Sequence, residues 1–203
     1  MNDYQTEQLT AFELIRLQLP KLKDRLRKNQ GHLLKAYLSF RKETDRYLDQ
    51  YFAGVCSMSC YQNQHSACCS KDGIITFFAD MVINILSSDE PALDRLNLRL
   101  QSPHGGMKCL YLSRDGCLWT VKPVVCQMFL CQRARDEVFS QYPQARRQWE
   151  TLTQRRLDFT WPDKPVLFDA IETLFMESGN SSPLMYLHNS PGLLKVKQKA
   201  KNR

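Results

Sequence analysis

Apolar residues recur at spacings of three and four along the first stretch of the chain. Leu9, Phe12, Ile15, Leu19 and Leu22 mark one face of a helix predicted over residues 4–29. Pro20 falls inside this pattern and predicts a kink or two shorter helices, because proline cannot donate to the preceding turn. Asn29-Gln30-Gly31 reads as a helix end. A second helix is predicted from about His32 to Phe52, with Leu33, Leu34, Tyr37, Leu38, Phe40, Tyr47, Leu48 and Tyr51 on its apolar side. Arg41, Lys42, Glu43, Asp45, Arg46 and Asp49 would form its solvated face, and Gly54 would release the chain from it.

The pattern then breaks. Ser57 to Ser70 is polar and irregular, as a ligand-bearing loop would be, and Asp72-Gly73 signals a turn. From Ile74 to Leu86 the positions Phe77, Phe78, Met81, Val82 and Ile85 predict a helix buried over much of its circumference. Asp80 and Asn84 lie four residues apart on one side of it and are read as a polar face meeting solvent, rather than as acceptors behind a metal site. Ser88-Asp89-Glu90-Pro91 resembles a helix start, continued by Leu93, Leu96 and Leu100. Lys108–Leu112 and Leu118–Val121 read as two short strands about an Arg114-Asp115-Gly116 turn. Helices follow at Ala145–Phe159 and Val166–Met176, separated by the breaker Trp161-Pro162-Asp163-Lys164-Pro165, and Ser178-Gly179-Asn180 and Ser190-Pro191-Gly192 are turns. The predicted fold is mainly α with a small β-hairpin, an irregular cysteine-rich metal-binding core flanked by helices. Its parts are a helical segment over 1–55, the core over 56–131, a second helical segment over 132–192 and a basic tail over 193–203, together forming one globular domain.

Composition changes this picture little. At 203 residues and 43% hydrophobic content the chain can bury a core without covalent staples, which weakens a disulfide-scaffold reading. No run of about 18 apolar residues occurs, and the polar start MNDYQTEQLT lacks an export-signal pattern, so a cytoplasmic protein without a membrane span is expected. Of the +7 net charge, part lies in Lys195, Lys197, Lys199, Lys201 and Arg203, a tail that nucleic acid could meet but that reads first as a solvated terminus.

The cysteines carry the chemistry. All eight lie in two clusters, Cys56-x3-Cys60-x7-Cys68-Cys69 and Cys109-x7-Cys117-x8-Cys126-x4-Cys131. In a reducing compartment such clusters point to metal ligation or catalytic thiols rather than disulfides. Thiolate suits zinc, Cu(I) and iron–sulfur clusters, and a tetrahedral zinc or a common iron–sulfur cluster takes four such ligands. Eight cysteines therefore imply two sites, or one site with some thiols, such as Cys60 or Cys117, left to pack in the protein. Neighbouring side chains in an extended segment point apart, so only one of Cys68 and Cys69 is expected to face a given site. The spacing of Cys126 and Cys131 suits one helical turn with both sulfurs on nearly one side. No CxxC pair is present, which removes the zinc-ribbon and thioredoxin-like patterns. His65 and His104 flank the clusters and read as loop histidines before they read as nitrogen ligands; His32 and His188 have no such neighbourhood.

The segments CSMSCYQNQHSACC and GCLWTVKPVVCQMFLC resemble the YkgJ-type cysteine-cluster family, described as zinc- or iron-chelating proteins. The resemblance runs in order through Cys56, Cys60, Cys68-Cys69, the helix bearing Asp80, Cys109, Gly116-Cys117-Leu118-Trp119, Lys122-Pro123, and Cys126 to Cys131 with Phe129. Lys122 and Gln127 stand where the family carries arginine, the segment before the paired cysteines is longer than usual, and both flanks lie outside the resemblance. It implies a metal site, with iron–sulfur ligation in relatives fused to flagellin lysine methylation; this chain lacks the Gly-rich strand-turn-helix of a methyl-donor site.

The expected function is thus chelation of zinc or an iron–sulfur centre by Cys56, Cys60, Cys68, Cys69, Cys109, Cys117, Cys126 and Cys131, without an assigned catalytic residue. Two alternatives stand beside it: a redox or methylation-accessory enzyme using an iron–sulfur cluster, and a zinc-stabilised nucleic-acid-binding protein using the basic tail.

Overall fold

The computed structural model describes residues 3–62, 68–70, 75–160 and 166–189. Its organising element is one helix, α1, from Asp3 to Phe52. At a rise of about 1.5 Å per residue it is roughly 75 Å long. The expected break after Asn29 does not occur, and Pro20 does not divide it. Two groups of buried residues explain this. Ala11, Phe12, Ile15, Leu19, Leu22 and Leu26 form the first, and Tyr37, Phe40, Thr44, Tyr47 and Phe52 form the second. The interval from Leu26 to Tyr37 corresponds to about three helical turns with a drift of only about 20°, so the second stripe resumes on the face of the first. Docking at both ends carries the helix through its poorly packed middle. Pro20 is exposed, and a Cβ at Gly31 would meet no heavy atom within 4 Å.

The other helices pack along this rod. A π-helical segment, Ala53–Tyr61, extends α1 directly, so Gly54 does not end the helix and the irregular stretch begins later than expected. It is followed by α2 (Phe78–Ser87), α3 (Glu90–Gln101), strands β1 (Leu112–Ser113) and β2 (Gly116–Cys117), α4 (Val124–Gln127), α5 (Gln132–Gln141), α6 (Pro143–Arg156), α7 (Leu167–Glu177) and α8 (Tyr186–Asn189). The fold is mainly α with a small antiparallel hairpin, as its pattern predicted. The hairpin is shifted: Leu112 pairs with Cys117 and Ser113 with Gly116, whose φ of 113° favours glycine. Asp89 caps α3 by accepting from the Ala92 N–H at 2.9 Å, with Pro91 in the first turn. Gly179, at φ 78°, closes the turn after α7. The breaker at 161–165, the turn at 190–192, His65 and the basic tail lie outside the described residues.

Contacts follow α1 from end to end. Gln5 donates to the Leu100 carbonyl of α3 at 2.7 Å, Arg25 pairs with Glu177 of α7, and Tyr47 donates to the Ala145 carbonyl of α6 at 2.8 Å. Phe52 meets Phe139 of α5 edge-on at 5.8 Å. Helix α2 is buried from Phe78 to Ile85 and lies between α1 and α7, where Phe78 and Phe175 meet at 4.9 Å. The segment after α7 is anchored on a buried carboxylate: Glu172 accepts from the Tyr186 and Leu187 N–H groups at 3.2 and 2.9 Å. Burial pushes its carboxyl up to about 8, although both N–H groups oppose the shift.

Two outcomes test this architecture. Gly31→Ala should stabilise the protein by about 0.5–1 kcal/mol, because alanine favours a continuous helix and finds open space there. A destabilised variant in urea denaturation would restore the helix break. For Glu172, a folded value raised above 4.5 means that protonation stabilises the fold, fully below pH 4.5 and progressively less as pH rises through about 8. Melting temperature followed across that window should therefore fall more steeply for the native chain than for Glu172→Gln. Superimposable profiles would remove Glu172 as the source.

Candidate metal centre

The segment that carries Cys126 is tied to two helices by buried polar groups. Asp80 and Asn84, on one side of α2, do not face solvent as expected, being 2% and 1% exposed. Asp80 accepts from the Phe77 N–H at 3.3 Å and from the Val124 N–H at 3.1 Å, and Asn84 accepts from the Val121 N–H at 3.0 Å. The reason is the surroundings of α2: with every residue from Phe78 to Ile85 buried, a polar pair must find internal partners. Arg41 likewise leaves the predicted solvated face of α1. Its guanidinium donates to Gln127 Oε1, to the Tyr37 hydroxyl and to the Lys122 carbonyl at 2.6 Å. Gln127 in turn donates to the Asp45 carboxylate and to the Arg41 carbonyl at 3.3 Å.

Tyr37 stands between the two charges and interacts electrostatically with both. Burial pushes the Asp80 carboxyl up to about 6; Arg41, the two N–H donors and Tyr37 hold it back from rising further. None of Tyr37, Arg41 and Gln127 was singled out in the sequence as part of a site. The available signal was the i, i+4 spacing of Tyr37 and Arg41 on the apolar side of α1. Gln127 meets an arginine supplied by α1.

A second polar group comes from the start of α1. Gln8 Oε1 accepts from the Tyr111 hydroxyl at 2.7 Å and from Thr76 Oγ1 at 3.0 Å. This fixes residues at or next to two backbone positions that act on cysteine thiols. The Tyr111 N–H donates to Cys109 Sγ at 3.4 Å, and the backbone at Ile75 opposes the rise of the Cys126 thiol. The backbone at Trp119 lowers the Cys117 thiol against its burial. His104 is engaged at both ring nitrogens: Nδ1 lies 2.6 Å from Arg99 Nη2 and Nε2 lies 2.8 Å from the Lys108 carbonyl. Its role is to hold the loop entering Cys109.

All eight cysteines are free thiols. Cys56, Cys68 and Cys117 are exposed, and Cys60, Cys69, Cys109, Cys126 and Cys131 are half-buried, so none is a core residue. The Cys109 N–H donates to the Cys69 carbonyl at 2.8 Å, and Ser70 bridges Lys108, which joins the two sequence clusters. Interaction between the neighbouring Cys68 and Cys69 thiols holds the Cys69 thiol below its ordinary value and Cys68 well above. Cys126 and Cys131 do not share a turn. Helix α4 ends at Gln127, Met128 leaves helical geometry, and Cys131 caps α5. Among the described residues, no three His, Cys, Asp or Glu side chains converge closely enough to hold an ion as they stand.

Loss of solvation raises the Cys56, Cys109 and Cys126 thiols to about 11, and neighbouring cysteines add to the rise. Crowding of protein around the Cys117 sulfur raises its pKa too, against Lys122, which opposes the shift. The arrangement therefore resists multiple thiolates unless a cation offsets their charge. The amide aimed at Cys109 favours the thiolate that soft metals bind, so the donor set fits zinc or iron in chemistry.

No family model matches the chain, and neither do curated proteins or solved structures. Among the described residues, no helix is long and apolar enough to cross a membrane.

The buried polar hub gives the sharpest prediction here. Asp80→Ala removes the acceptor for two backbone amides and leaves Arg41 without its buried counter-charge, and should cost about 3–5 kcal/mol in urea denaturation. Asp80→Asn, which keeps one acceptor oxygen, should cost less. A loss below about 1 kcal/mol for Asp80→Ala would remove the hub from its structural role.

Proposed function

We propose that the protein chelates zinc or an iron–sulfur centre through Cys56, Cys60, Cys68, Cys69, Cys109, Cys117, Cys126 and Cys131, as a member of the YkgJ-type cysteine-cluster family it resembles. The observation that carries this reading is the approach of the two cysteine clusters at Cys69 and Cys109, with the Tyr111 amide directed at the Cys109 sulfur. A soft metal bound there would supply charge compensation for several thiolates and hold together segments that have little regular structure of their own. The residues of this chain do the positioning. Asp80, Asn84, Arg41 and Gln127 fix the Cys126 segment, His104 and Gln8 fix the Cys109 segment, and Tyr61 donates to the Ser113 carbonyl at 3.0 Å, fastening the π-helix with Cys56 and Cys60 to the hairpin with Cys117.

Protein purified without oxygen should contain tightly held zinc or iron in whole-number ratio to the chain. Brown colour with visible absorbance identifies an iron–sulfur centre, and a colourless zinc protein identifies zinc. Replacing Cys126 and Cys131 by serine should remove metal and lower the melting temperature together, since binding energy is coupled to folding. A double variant that stays metal-replete and fully stable would refute their assignment as ligands.

A further inference from the structure

We propose that the outer face of α1 is a nucleic-acid-binding surface, which takes a sugar–phosphate backbone along a straight basic stripe from Lys21 to Arg46. This is independent of the metal-chelating reading.

The stripe follows from the phase of the helix. At about 100° per residue, Lys21, Arg25, Lys28, Lys35, Lys42 and Arg46 all fall within about 60° of one line. All six are exposed, and the exposed His32 and Ser39 occupy the gaps in the line without adding an acid. The two buried groups of α1 lie on the other side of the rod. With a rise of about 1.5 Å per residue, Lys21 and Arg46 stand about 37 Å apart along the axis. Between Leu26 and Tyr37 no residue of α1 is buried, so the helix is open to a partner where Lys28 and Lys35 stand.

The fold does little to compensate this charge. Lys21–Arg25, Arg25–Lys28 and Lys42–Arg46 are like-charge pairs three or four residues apart, an arrangement that opposes the helix. Among the described residues, Arg25 is the one member of the stripe in an ion pair, with Glu177 of α7. Lys21 donates to Gln18 at 3.3 Å and Arg46 to the Lys42 carbonyl at 3.4 Å, both neutral acceptors. Nearby acids are largely committed elsewhere. Glu43 is held by Arg155 at 2.8 Å and Asp45 accepts from Gln127, which leaves Asp24 and Asp49 at the edges of the stripe.

A long row of cations fits a polymer whose covalent repeat supplies a row of anions, and each strand of a nucleic acid carries one charge per about 3.4 Å. Lysine meets phosphate as a point charge. The stripe has no Tyr, Phe or Trp on which a base could stack, so the contacts are to the backbone and carry no sequence preference. An anionic bilayer fits less well, because a helix lying on lipid inserts its apolar face, and that face of α1 is buried against the other helices.

The test measures binding of the full chain to a mixed-sequence single-stranded DNA, the matching RNA and the DNA duplex by fluorescence anisotropy across a range of salt concentrations. The native chain should bind, equally well when the sequence is scrambled, with log affinity falling linearly against log salt. Lys28→Gln/Lys35→Gln/Lys42→Gln, exposed changes that should leave the melting temperature intact, should weaken binding and make the salt slope shallower by about 2 on a single strand or about 3 on a duplex. Lys195→Gln/Lys197→Gln/Lys199→Gln should retain binding. A native chain that binds none of the three, which needs no variant to fold, would overturn the proposal. So would an α1 variant that binds like the native chain while the Lys195, Lys197 and Lys199 variant does not, or a native chain that binds phosphatidylserine vesicles but no nucleic acid.

Discussion

A guanidinium buried in the middle of the protein governs how the cysteine-bearing half is arranged. Arg41 is 3% exposed, and an unpaired charge in that position would cost several kcal/mol. Each of its three nitrogens is therefore engaged, with Tyr37 on its own helix and with Gln127 and the Lys122 carbonyl on the segment around Cys126. Tyr37 also interacts electrostatically with Asp80, which caps Phe77 and Val124. Three pieces of chain remote in sequence are thus fixed by one set of charge-assisted hydrogen bonds. The geometry is directional, which apolar packing is not, and it settles where α4 begins and where Cys126 stands.

The division of labour follows. Helices α1 and α2 provide rigid, buried polar side chains, and the short hairpin and loops provide sulfur. Those loops would be poor at holding ligands by themselves, because two-residue strands and a four-residue helix have little intrinsic stability. Buried acceptors on the rigid elements compensate. Asn84 takes the Val121 N–H, Gln8 takes the Tyr111 hydroxyl, and the Arg99–His104 pair holds the Lys108 carbonyl. Each contact lies within four residues of a ligand candidate or of an amide bonded to one.

The sequence made the fold class legible because apolar periodicity is strong in α2, α3 and α7, and because Asp89 and Gly179 are clear helix boundaries. It misled at Pro20 and Gly31, where local signals for a helix break were outweighed by two docking stripes in the same phase. It misled again at Arg41, Asp80 and Asn84, where polarity was taken as exposure. In a helix buried all round, polarity signals an internal partner, and the partner is legible only when the other strand of chain is known. The cysteine set was legible as a group. Its internal arrangement was not, because the spacing of Cys126 and Cys131 is compatible with a continuous turn and only the end of α4 at Gln127 separates them.

The adjacent pair Cys68-Cys69 draws these features together. In a regular strand the two sulfurs would diverge. Here the two thiols influence each other, which pulls Cys69 below and pushes Cys68 above the ordinary thiol value. A cation arriving near Cys69 meets a sulfur predisposed to be thiolate. Deprotonating Cys68 then requires a second compensating charge on its own side, because the ionised Cys69 repels it.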